Sequence, residues 1–218
     1  MADDAAFTDE ESLAERAFDY DRTVALSDGV FAIALTLLVL SLTVPILRHG
    51  HTDLLGSKLL HREQEFVSYA ISFAVISFLW VRHHQFFRGL QRIDGRITAL
   101  NLAYLAFVAF LPFPTHVLGL YGDQPASAIL YAVTVAILSS ITAIERVYAQ
   151  RAGLLSPSGA RAMGRREHWA VPPAVFIASI PIAFVSTTAA QLFWLVLLLP
   201  RFRSRARALR SSRNHGHT

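Results

Sequence analysis

The sequence predicts an all-α, polytopic membrane protein with six transmembrane helices and both termini on the cytoplasmic side. Three observations carry this. The 218-residue chain is 53% hydrophobic and only 17% charged, whereas about a quarter of the residues in a soluble domain are usually charged. Its apolar residues are gathered into runs near the ~20 residues that cross a bilayer as a helix. The basic residues fall almost entirely on alternate connections between those runs, as they do in cytoplasmic loops.

The apolar segments lie at about 24–47, 66–81, 97–118, 126–144, 169–185 and 187–200. They are too long and too continuously apolar for barrel strands, which alternate over about ten residues, so helices must satisfy their backbone groups. The last two share 32 residues with Pro172, Pro173, Pro181 and Pro200, and could form one long span or a tight hairpin. Charge selects two spans. Six spans put Arg82, Arg88, Arg92 and Arg96, the 146–166 arginines and the tail arginines all inside, leaving only Arg48, Lys58 and Arg62 outside; five would place the six-arginine tail outside.

The chain thus divides into an acidic N-terminal cytoplasmic segment (1–21), a membrane domain (22–200) and a basic cytoplasmic tail (201–218). Residues 1–21 are acidic rather than apolar and are not expected to be a cleavable signal peptide. A basic cluster following a final span is expected to anchor to anionic lipid rather than to nucleic acid. The absence of cysteine excludes disulfides, thiolate metal sites and a cysteine nucleophile.

The first helix carries the strongest pattern. Successive helical residues turn by about 100°. Around Ile33 this puts Leu37 and Leu40 within about 40° and Thr36 about 60° away, and Leu26, Gly29 and Val30 extend the same face. Asp28 lies about 140° from Ile33. The carboxylate therefore looks into its own subunit when the stripe faces an axis or a partner helix. A charge near the membrane needs a partner. Arg22 supplies one if the chain before Val24 bends back, and Ser27 can cap the start or donate to Asp28.

The second span ends in Trp80, Arg82, His83 and His84. Tryptophan there is an interfacial anchor. Adjacent histidines diverge by about 100° and cannot share a metal, so no metal site is expected. One histidine is expected to hydrogen-bond inward near the Asp28 end of the first helix and the other to face water. Asn101 opens the third span at the same level, as an interhelical hydrogen-bonder or a member of the Arg22, Asp28 and histidine network. Pro112 and Pro114 are expected to break or kink that span near the outer face, with His116 in a loop.

These residues bring a resemblance into view. Arg22-x-x-x-Leu26-Ser27-Asp28 followed by GVFAIALTLLVL, SFxxxSFxWxxHH in the second helix and NxxxLxxVAFLPFPT in the third resemble the six-span potassium channels related to lysosomal transmembrane protein 175, single-repeat proteins in bacteria. The motifs span about half the chain; Leu26 stands where the family usually has phenylalanine. The resemblance implies a homotetramer in the bacterial plasma membrane and a pore lined by four copies of the first helix. It also implies a constriction at Ile33, Leu37 and Leu40, a Thr36 hydroxyl layer that contributes to selectivity, and a structural polar network of Arg22, Ser27 and Asp28 with His83 or His84. The expected ligand is permeant K⁺ or another monovalent cation, with no cofactor. The alternative is a proton- or cation-coupled secondary transporter, but no inverted repeat or midplane carboxylate is visible. Neither a nucleophile elbow nor a phosphate loop points to an enzyme.

Overall fold

The computed structural model describes residues 2–45, 55–164 and 171–194, with side chains over 20–45, 55–162 and 171–194. All the named elements are helical. α1 runs from Ala2 to Leu37 and passes into one turn of 3₁₀ helix, Leu38–Ser41. It is followed by α2 (Leu55–Leu60), α3 (Glu63–Arg88), α4 (Gly95–Phe110), α5 (Pro112–Leu120), α6 (Pro125–Arg151), α7 (Pro157–Gly164), α8 (Val171–Val185) and α9 (Thr187–Trp194). Among the described residues, four helical stretches are long and apolar enough to cross a membrane: Tyr20–Ser41, Glu63–Arg88, Gly95–Leu120 and Pro125–Arg151. Val171–Val185 is a shorter apolar helix. Of the sixth expected span, 195–200 lies outside the described residues, as do Arg48, Arg165, Arg166 and the basic tail.

Apolar runs located the spans but not the helix ends. α1 begins at Ala2, because Ala, Glu, Leu and Arg in the acidic segment are strong helix formers. There is therefore no bend before Val24. At its other end the helix stops at Ser41 instead of 47. The residue after it, Leu42, is already extended (φ −84°, ψ 112°), and Val44 precedes Pro45, which disfavours helix. α3 and α6 continue past the apolar windows, and His83, Glu145 and Arg146, on those extensions near the arginine-rich end, are buried.

Proline and glycine set the remaining boundaries. Pro112 has no N–H, and the Leu111 N–H closes a tighter turn to the Val108 carbonyl at 3.2 Å. The third span is thus two helices meeting at Leu111, and His116 lies on the second of them, not in a loop. α6 ends where Gly153 takes φ 64° and the Leu154 N–H returns to the Ala149 carbonyl at 3.0 Å, a left-handed cap that favours glycine. α8 and α9 form a hairpin: the Trp194 indole donates to Ser179 Oγ at 2.8 Å, whereas fifteen residues of one straight helix would separate them by about 22 Å.

The main core joins Phe31 and Ala34 of α1 and Leu38 of the 3₁₀ turn to Ile76 and Leu79 of α3, Tyr104 and Val108 of α4, Tyr131 and Val135 of α6, and Phe176 and Trp194 of the hairpin. A second core at the arginine-rich end holds Phe86, Phe87, Leu90, Ile97, Ala149 and Leu154. There α7 lies so close to the end of α3 that a Cβ on Gly159 would overlap the Gly89 carbonyl.

Candidate functional site: the first helix and its supports

α1 has two faces. One enters the core of the chain: Phe31 and Ala34 are each 1% exposed and, in the 3₁₀ turn, Leu38 is 0%. The other is left uncovered by the described residues: Ile33 is 59% exposed, Leu37 40% and Leu40 70%. Leu26, Gly29 and Thr36 are exposed along the same side. The Thr36 hydroxyl donates to the Ile33 carbonyl at 2.8 Å, which leaves its oxygen lone pairs on the open side.

The 3₁₀ turn changes the stripe. In an α-helix Leu40 would lie about 60° from Leu37; in a 3₁₀ turn residues three apart eclipse. Leu37 and Leu40 therefore stand one above the other on the open face. Leu38 and Ser41 do the same on the buried face, with the Ser41 hydroxyl donating to the Leu38 carbonyl at 2.6 Å.

At the arginine-rich end three predicted residues meet in a buried chain of hydrogen bonds. Ser27 Oγ donates to the Thr23 carbonyl at 2.8 Å. Asn101 Nδ2 donates to Ser27 Oγ at 3.1 Å, and Asn101 Oδ1 pairs with His83 Nε2 at 2.8 Å. The His83 ring lies between Phe87 and Tyr104, with centroids at 4.5 and 5.3 Å. Asp28 lies outside this chain. Its Oδ1 accepts from the Trp80 indole at 2.9 Å, and Trp80 stacks on His84 at 5.5 Å. The partner expected from sequence was Arg22. Because α1 is continuous, Arg22 stays about 9 Å along the axis and about 120° around from Asp28.

Below this layer, Asp94 caps α4 by accepting the Ile97 N–H at 2.9 Å, and the Tyr148 hydroxyl donates to its other oxygen at 2.5 Å. Desolvation pushes the Asp94 carboxyl up, but the bonds from Tyr148, Ile97 and Arg96 outweigh it and hold it below the usual carboxylate range.

Sequence reasoning missed the support at the other end, where Thr43, Arg62 and Glu65 join the exit of α1 to the start of α3. The one signal was an acidic pair, Glu63 and Glu65, in a first helical turn, and it has an ordinary explanation in the helix dipole.

Fold and site together define a helical membrane protein whose N-terminal span is left half open by the rest of the described chain. The family described as endosomal/lysosomal potassium channel TMEM175 matches residues 22–112. A protein named a potassium channel from Streptomyces collinus is 33% identical over 172 residues, covering 76% of this chain and 82% of the relative. One from Chamaesiphon minutus is 32% identical over 171 residues, covering 76% and 84%. The crystal structure described as a lysosomal potassium-selective channel TMEM175 homolog from Chamaesiphon minutus superposes with a TM-score of 0.71 at 29% identity, covering 82% of this chain and 94% of that one. The chain belongs to the TMEM175 family.

Proposed function

We propose that the protein is a potassium-permeable cation channel of the bacterial plasma membrane, a homotetramer whose pore is lined by four copies of α1. The observation that carries this reading is the split burial of that helix: bulky aliphatics lie on the face its own subunit leaves uncovered, with Phe31, Ala34 and Leu38 on the covered one. The relatives' names support a channel over a coupled transporter and over an enzyme. Six spans with both ends cytoplasmic fit the hairpin of α8 and α9 and the distribution of arginine.

Ile33, Leu37 and Leu40 form the constriction and Thr36 the hydroxyl layer. Rings of aliphatic side chains narrow a pore and gate it by dewetting, unlike a filter of backbone carbonyls. A permeating ion sheds part of its water there. Potassium does so at lower cost than sodium, which yields a potassium preference without a charged ligand. Arg22, Ser27, Asp28, His83, His84 and Asn101 hold the base of the helix rather than touch the ion.

The test is flux through purified protein in liposomes, under a potassium gradient and then a sodium gradient. A channel gives dissipative flux with potassium ahead of sodium. Flux that needs a proton gradient at fixed stoichiometry identifies a transporter instead.

A further inference from the structure

The segment that leaves the first helix is tied down at every polar group of one residue. The Thr43 N–H donates to Glu65 Oε2 at 2.8 Å and its hydroxyl donates to the same oxygen at 2.9 Å. Arg62 Nη1 donates to the Thr43 carbonyl at 3.1 Å and also to its hydroxyl. Arg62 and Glu65 pair at 2.8 Å. Glu65 is buried, and its backbone lies against α5 where Gly119 has no side chain: a Cβ there would meet Glu65 Cα at 3.4 Å. His116 Nδ1 reaches the Ser41 carbonyl at 3.3 Å from the same side.

None of this is needed to end the helix, because Pro45 and the extended Leu42 do that. What the contacts fix is the rotation of the Leu38–Ser41 turn, and hence the direction of Leu40. A 3₁₀ turn is a common way for an α-helix to end, and among the described residues Leu40 remains 70% exposed on its open face. Exposed ion pairs contribute little, but here the Glu65 side chain is 8% exposed and Arg62 30%, and both share bonds with the Thr43 backbone, so breaking the pair leaves charged and polar groups unmatched.

We infer that Glu65 is a positioning residue for the pore: with Arg62 it clamps Thr43 and holds the 3₁₀ turn in the register that stacks Leu40 over Leu37 at the constriction. This rests on the pore reading above.

The chain has no cysteine, so Leu40→Cys supplies a single thiol per subunit. The assembled protein carrying it, reconstituted in potassium-loaded vesicles, is treated from outside with a cationic, membrane-impermeant methanethiosulfonate reagent. Modification is expected to block potassium flux. Adding Glu65→Gln is expected to change the modification rate about tenfold, the scale set by one lost charge-assisted hydrogen bond. In the parent background Glu65→Gln lowers the potassium-to-sodium flux ratio and the melting temperature while tetramer elution stays unchanged. Glu65→Asp keeps the carboxylate and restores most of both readouts. Thr43→Val removes only the hydroxyl and is expected to act in the same direction. Unaltered rate and flux ratio in assembled Glu65→Gln and Thr43→Val overturn the clamp and leave the pore standing. Failure of both variants to assemble assigns the three residues to folding and also overturns it. A modified Leu40→Cys protein that conducts normally overturns the pore reading at this level, and the clamp with it.

Discussion

Ile33, Ser27 and Asp28 lie on one helix, the channel reading gives them three different jobs, and single substitutions separate them. Ile33→Asn puts a hydrogen-bonding group into the proposed aliphatic ring. It is expected to wet the constriction, raise potassium flux severalfold and bring the potassium-to-sodium ratio toward unity; unchanged flux and ratio remove Ile33 from the constriction. Ser27→Ala deprives the buried Asn101 amide of its acceptor. It should cost about 1 kcal/mol, read as a lower melting temperature with the ion ratio unchanged. Asp28→Ala loses the Trp80 bond and is expected to lower the yield of assembled tetramer, whereas Asp28→Asn keeps an acceptor and most of the yield. Equal yields from the two would show that the bond does not hold the helix. The stripe was legible because it depends on local periodicity alone. Asp28's partner was not, because Trp80 is 52 residues away and the nearer candidate, Arg22, is carried off by a helix that does not bend.

The elements show the same division between local and distant information. The kink at Pro112 and the cap at Asp94 follow from side chains within a few positions, and proline could be read directly from the chain. Both the length of α1 and the ends of α3 and α6 escaped an apolar-run reading, since hydropathy marks where lipid begins and not where a helix stops. The Thr43–Glu65 contact joins residues 22 apart on different elements, and no spacing rule encodes it. Asp94 gives a pH test. Its carboxyl is held below the usual carboxylate range, so the stabilisation is present above that range and is lost as pH falls through the lower folded-state value. Asp94→Ala is expected to cost about 1 kcal/mol at neutral pH. The gap from the parent should narrow in acid, and thermal melting across a pH series measures both. A gap independent of pH would assign the loss to packing.

For the whole molecule, the charge distribution specifies orientation more strongly than any single helix does. Single cysteines in the cysteine-free chain can test it. Asp123→Cys, in the turn between α5 and α6, is expected to react with an impermeant thiol reagent on intact cells. Arg151→Cys, at the far end of α6, should react only after permeabilisation. The reverse pattern would invert the topology, and labelling of both on intact cells would mean that α6 does not cross. The all-helical class and its membrane character were legible in composition. The pairing of helices was not, because in lipid apolar faces gain little from one another and close packing and polar contacts decide.

At the foot of the bundle, the place where Gly89 and Gly159 touch has a consequence for how the protein can vary. Backbone meets backbone there, so no larger residue at position 159 fits without prising the short helix away and opening the small aromatic core beside it. A substitution at this junction cannot be offset by trimming a facing side chain, since the atom in the way is the Gly89 carbonyl.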